Sequence, residues 1–153
     1  MTREGASHTL ARRFLEENRH LLRTLKELGK LLDDGGGAND AAARRASTMA
    51  QVLNLQKHLT SLFHIEEGPR GLFEDIQEQR PTEERKLLHL KKEHLRILDQ
   101  LDQLTTRLQG GGEENLEAIH QDLRPLLAFL YEHESKEARL IQGAYLVDEG
   151  GAG

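Results

Sequence analysis

Leucines and other apolar residues recur every three or four positions along four long stretches of this chain, and glycine-rich breaks separate the stretches. That spacing puts the apolar residues on one side of an α-helix, so each stretch predicts an amphipathic helix with a face to bury. The first runs from about Thr9 to Leu32, with Leu10, Phe14, Leu21, Leu25, Leu28 and Leu32 on its stripe. The second runs from about Ser47, or somewhat earlier, to Glu67, through Val52, Leu55, Leu59, Leu62 and Phe63. Gly68-Pro69-Arg70-Gly71 breaks or kinks it, and a short helical piece from Leu72 to Arg80 follows. Pro81 suits the start of a third long helix, with Glu83 and Glu84 in its first turn. That helix reaches about Gln109 through Leu87, Leu90, Ile97, Leu101, Leu104 and Leu108. The fourth runs from about Glu113 to Tyr145, and Pro125 inside it predicts a bend.

Four amphipathic helices joined by short links predict an all-α fold, an up-down-up-down four-helix bundle with a kinked or broken second helix. Residues 1–153 are read as one domain. The glycine breaks permit no sustained heptad repeat, which argues against a coiled coil. A weak internal echo, Arg19-His20-Leu21-Leu22 against Glu93-His94-Leu95-Arg96, suggests two helical hairpins facing each other.

Composition narrows the chemistry. The chain has no cysteine, so disulfides and thiolate metal sites are excluded and any ligand must be nitrogen or oxygen. Its formal charge is −5 and no basic cluster dominates, which argues against nucleic acid as a partner. No apolar run approaches the ~18 residues of a membrane span. The first residues lack the apolar core of a signal peptide, so a cytoplasmic location is expected.

A helix turns about 100° per residue, which sorts the ionisable groups by face. Glu66 lies in line with Leu55, Leu59 and Leu62. His94 lies between Leu90, Ile97 and Leu101. His133 and Glu137, four residues apart, stack on the inner face of the fourth helix. His20 takes a flank position on the first. Four inward groups of only two types, with a fifth beside them, predict a site in the bundle interior. His8, His64, His89 and His120 read as surface residues, and Arg12-Arg13, Arg44-Arg45 and Lys91-Lys92 as solvated faces. His58 sits at the margin. Matching the depth of His20 to that of Glu66 requires part of Ala41–Ala46 to be irregular or to project past the first helix.

Imidazole nitrogen together with carboxylate oxygen suits Fe, Mn or Zn rather than Ca or Mg. A carboxylate buried without a partner is costly, and a cation, a proton or a buried partner relieves it. Two carboxylates placed between imidazoles suit a dinuclear site, and an open coordination position there would admit O2, NO or peroxide.

At these residues the chain resembles the hemerythrin-like, or HHE cation-binding, family in its bacterial branch. The resemblance rests on His20, on Glu66-Glu67-Gly68, on Glu93-His94, on His133-x-x-x-Glu137 and on the Leu140–Asp148 tail. It implies a four-helix bundle around a non-haem di-iron centre. It also implies Glu66 and Glu137 as bridging ligands, His94 and His133 as ligands of one iron, and His20 as a ligand of the other. The implied task is O2 or NO binding, redox sensing or iron handling, without implied catalysis and with any protein partner unspecified. The chain departs from the family at one place: the second helix usually carries His-x-x-x-Glu, and here the first position is Leu62. Three outcomes follow: a dinuclear site completed by water, a single metal, or a metal-free bundle serving as an interaction module. A ferritin-like di-iron oxidase is a further reading, but it uses Glu-x-x-His, found here only at Glu117–His120.

Overall fold

The computed structural model describes residues 3–34, 40–110 and 115–145, and every regular element in them is helical. Helix α1 spans Arg3–Asp33, α2 Ala41–Glu67, α3 Leu72–Gln79, α4 Glu84–Gln109 and α5 Leu116–Tyr145, with a 3-10 turn over Pro81–Glu83 between α3 and α4. The predicted start of the fourth helix at Glu113 lies outside the described residues.

Two helices begin earlier than their leucine stripes. The first turns of α1 hold no large apolar residue, yet Ser7 is buried and the His8 ring meets Tyr145 of α5 at 5.7 Å. Packing against the far end of the chain thus carries α1 beyond its own pattern. The Ala41-Ala42-Ala43 start of α2 has high helix propensity and no stripe. Asp40 caps it by accepting from the Ala42 amide at 2.9 Å. The helix is therefore regular across Ala41–Ala46, where part of that segment was expected to be irregular or to project. Arg45 is not the solvated cation its sequence suggests. It is half-buried and donates to the carbonyls of Leu108 and Arg107, at 3.0 and 2.8 Å, satisfying the last turn of α4.

The break after α2 is a tight reversal. The Gly71 amide donates to the Gly68 carbonyl at 2.8 Å, and a Cβ on Gly71 would sit 2.7 Å from the Glu66 carbonyl, so only glycine fits. The reversal lays α3 back onto the bundle. Tyr145 locks it there, its hydroxyl donating to Asp75 Oδ2 at 2.6 Å. Helix α5 runs unbroken through the exposed Pro125.

Helix α1 lies against α2 and α5, and α4 lies against the same two helices. Cross-contacts pair Glu17 with His58 and Thr24 with Asn54; Gln56 with Thr105 and Glu67 with His94; Glu93 with His133 and Arg107 with Asp122. Phe14, Leu21, Leu25, Leu55, Leu59 and Ile97 are among the fully buried side chains that fill the space between. Burying each such side chain contributes about 1.5–3 kcal/mol. Among the described residues, no helix is long and apolar enough to cross a membrane.

His120 departs from its predicted place. It is 2% exposed, because α5 packs against both α1 and α4 and buries more than one stripe. The Thr48 hydroxyl donates to the Arg44 carbonyl, so His120 Nε2 donates to Thr48 Oγ1, at 3.0 Å. Burial first, and then the cations of Arg44 and Arg124, hold its pKa below the ordinary 6.5 against a smaller opposing pull from Glu117. A depressed folded-state pKa gives stability that is present above the unfolded value and lost as pH falls from it toward the folded value. Urea unfolding at about pH 7.5 and about pH 5.5 should therefore show a smaller acid loss for His120→Gln than for the parent. Equal losses would show that His120 does not titrate unfavourably.

Candidate metal centre

Three of the helices bring their polar inward groups together. The end of α2 contributes Glu66, because the Leu55–Leu59–Leu62 stripe continues through it to the break. Helix α4 contributes His94, and α5 contributes His133 and Glu137. All four side chains are at most 1% exposed.

Glu137 is the hub. His94 Nε2 lies 2.8 Å from its Oε2, and His133 Nε2 lies 3.0 Å from its Oε1, out of line for a hydrogen bond. His94 Nε2 also lies 3.6 Å from Glu66 Oε1. The ligand atoms of His94, His133 and Glu137 all fall within 4.8 Å of one another.

The outer nitrogen of each imidazole is already occupied. His94 Nδ1 donates to Glu67 at 2.5 Å and His133 Nδ1 to Glu93 at 2.7 Å. Lys136 Nζ holds the other Glu93 oxygen at 3.0 Å. A carboxylate on Nδ1 fixes the ring's orientation and tautomer and leaves Nε2 as the nitrogen a cation would take. Phe63 stacks on the His94 ring at 3.7 Å, and Phe73 lies 5.7 Å from it on α3, so one flank of the site is aromatic and dry.

The electrostatics match an anionic pocket short of cations. Burial raises the Glu66 carboxyl well above its usual range, and repulsion from Glu137, Glu134 and Glu67 adds to this. Burial also pushes Glu137 up, but its contacts with Glu66, His133 and His94 outweigh that and hold it well below the ordinary carboxylate range. Burial lowers the His133 pKa, yet Glu137 and Glu93 outweigh it and the net direction is upward. Neither Glu66 oxygen has a hydrogen-bond donor among the described residues; nor has Glu137 Oε1, and His133 Nε2 lacks an aligned acceptor. A buried pocket whose carboxylate oxygens receive no donor and into which an imidazole nitrogen points is what a metal ion of borderline hardness would complete.

The family model for the hemerythrin HHE cation-binding domain matches residues 9–145. The chain belongs to that family. No curated protein and no solved structure matches it. Membership makes metal binding the property to look for, and the His94–His133–Glu137 cluster is where a hemerythrin-like chain of this sequence could hold an ion.

The fifth sequence-predicted group stands apart from the other four. His20 is half-buried, with its ring stacked on His58 at 5.9 Å along the α1–α2 seam, and His58 in turn meets Glu17 at 3.4 Å. Leu62, one turn before Glu66, is fully buried where the family usually has histidine. The Glu117–His120 pair does not form a ferritin-like arrangement, since Glu117 is exposed and His120 faces Thr48.

Three glutamates in and around the site are not among the residues that helical spacing turns inward. Glu67 and Glu93 carry the imidazole contacts just described. Glu134 is 1% exposed with neither oxygen partnered. The available signal was adjacency, since each follows or precedes a predicted ligand by one residue.

Proposed function

We propose that this chain is a hemerythrin-like non-haem iron protein on an up-down-up-down bundle, with iron held by His94, His133, Glu137 and Glu66. The opposed order of the cross-contacts on each neighbouring helix pair supports that topology. The observation that carries the metal reading is the orientation of the two imidazoles. Each is tied at Nδ1 to a glutamate at the edge of the site and directs Nε2 at the same buried carboxylate. Iron bound there would supply an open coordination position and a change of oxidation state, suited to binding O2 or NO, sensing redox state or handling iron.

The chain's own residues have separable tasks in this reading. Glu67 and Glu93 orient the rings, Lys136 steadies Glu93, and Phe63 and Phe73 exclude water. The role is metal and small-ligand binding in the cytoplasm rather than catalysis of a committed reaction. Anaerobic loading of the metal-free protein with ferrous iron, followed by exposure to air, tests it. The expected result is iron retained through desalting, with near-ultraviolet and visible charge-transfer absorption. A chain that retains no iron would contradict it.

One observation favours a second reading. Leu62 and the displaced His20 leave one side of the family's usual site short of nitrogen ligands. A metal-free bundle acting as an interaction module accounts for that loss but leaves the buried carboxylates without a role.

A further inference from the structure

We propose that the groove between the start of α4 and the end of α5 binds a small organic phosphate, with arginines on the phosphate and leucines under an apolar body. The inference does not depend on the iron reading above.

The groove has a volume of about 580 Å³, within the range of sites that take small organic ligands. Five of the ten residues that line it are lysine or arginine and one is acidic, in a chain whose formal charge is −5. Two of these cations already have partners. Lys86 Nζ lies 3.4 Å from Glu83 Oε2, and Lys136 Nζ lies 3.0 Å from Glu93 Oε2. Arg80, Arg85 and Arg139 form no ion pair among the described residues. They come from three places in the chain: just past α3, the first turn of α4, and α5. Like charges gathered around one concavity repel, and an anion placed among them relieves the repulsion.

Two of the three guanidinium groups are tethered. Arg80 Nη2 donates to the Gly143 carbonyl at 2.8 Å, and Arg139 Nε donates to the Ser135 carbonyl at 3.3 Å. A guanidinium has five N–H donors, so each retains donors for a ligand. Their planar forks match phosphate oxygens two at a time, and three unpaired positive charges suit a dianion better than a carboxylate. The floor is apolar. Leu90 is buried and Leu140 half-buried, and a Cβ on Gly143 would meet only Arg80 Nη1, at 3.9 Å, so space remains above them. An inorganic ion would leave those leucines wet, whereas an apolar body attached to the phosphate would cover them. The concave setting of the cations favours a small molecule over a membrane surface.

The test is isothermal titration calorimetry of the full chain with naphthyl phosphate, and with inorganic phosphate and naphthol as its two halves. It is run on the protein as purified and again after chelation. Flotation with phosphatidylglycerol vesicles is measured alongside. Lys136 and His89 are left unchanged, because both also meet Glu93. One variant combines Arg85→Gln with Arg139→Gln, two exposed positions. The other, Gly143→Leu, fills the groove and improves helix propensity. Naphthyl phosphate should bind one per chain, about tenfold or more tighter than either half and unchanged by chelation. Each variant should weaken it about tenfold or more while melting no lower than the parent. No binding, equal binding of either half, binding lost on chelation, or variants that bind like the parent would overturn the proposal. Vesicle binding without naphthyl phosphate binding would overturn it in favour of a membrane surface.

Discussion

Loading the metal-free protein with ferrous iron should raise its melting temperature by about 10 °C, and a chelator should reverse the gain. A ligand that binds only the folded chain stabilises it by about 4 kcal/mol when present at a thousandfold its dissociation constant. For a domain of this length each kcal/mol moves the midpoint by roughly 2–4 °C. The source of the gain is specific. Without a cation, no nitrogen or hydroxyl group donates to either Glu66 oxygen, its carboxyl group is held against that of Glu137, and His133 Nε2 has no aligned acceptor. A metal ion would satisfy all of them together. Differential scanning calorimetry with and without iron measures the effect. An unchanged midpoint at saturating iron would count against a folded-state site.

Replacing Glu66 by leucine should act in opposite directions on the two forms. In the metal-free protein the variant is expected to be more stable than the parent by about 1–3 kcal/mol, because a buried, donorless carboxyl group is removed and the leucine extends the stripe of Leu59 and Leu62. In the iron-loaded protein the order reverses, since the variant loses much of the stabilisation that iron confers. Urea unfolding of both forms measures the two differences. A variant less stable than the parent in the metal-free state would show that Glu66 is held by interactions other than a cation. A variant that keeps the full gain from iron would remove Glu66 from the ligand set.

The class of fold was legible because leucine spacing is strong and the glycine breaks are sharp. The second helix was seen to end at Gly68 because Gly-Pro-Arg-Gly offers no helical continuation. The start of α2 was not fixed, since Ala41–Ala46 promotes helix without an apolar face. Of the candidate ligands, Glu66, His94, His133 and Glu137 lie near the centres of their stripes, and the structure brings those four together. His20, a flank residue, went to the α1–α2 seam instead. Flank positions are where a single helix is ambiguous. In this fold each long helix touches two others, so the buried arc is wider than its leucine stripe. That is why His120 and Glu134 are buried although both lie off the leucine stripe of their helix. Nor could the sequence pair Glu67 with His94 or Glu93 with His133, because those contacts depend on how far neighbouring helices slide past each other.

Anomalous diffraction at the iron edge, from crystals grown of the iron-loaded chain, would locate the ion. A peak is expected bounded by His94 Nε2, His133 Nε2 and the Glu137 carboxylate, with Glu66 at its edge. An iron-loaded crystal with no peak there, or with iron only on the protein surface, would contradict iron binding at this cluster.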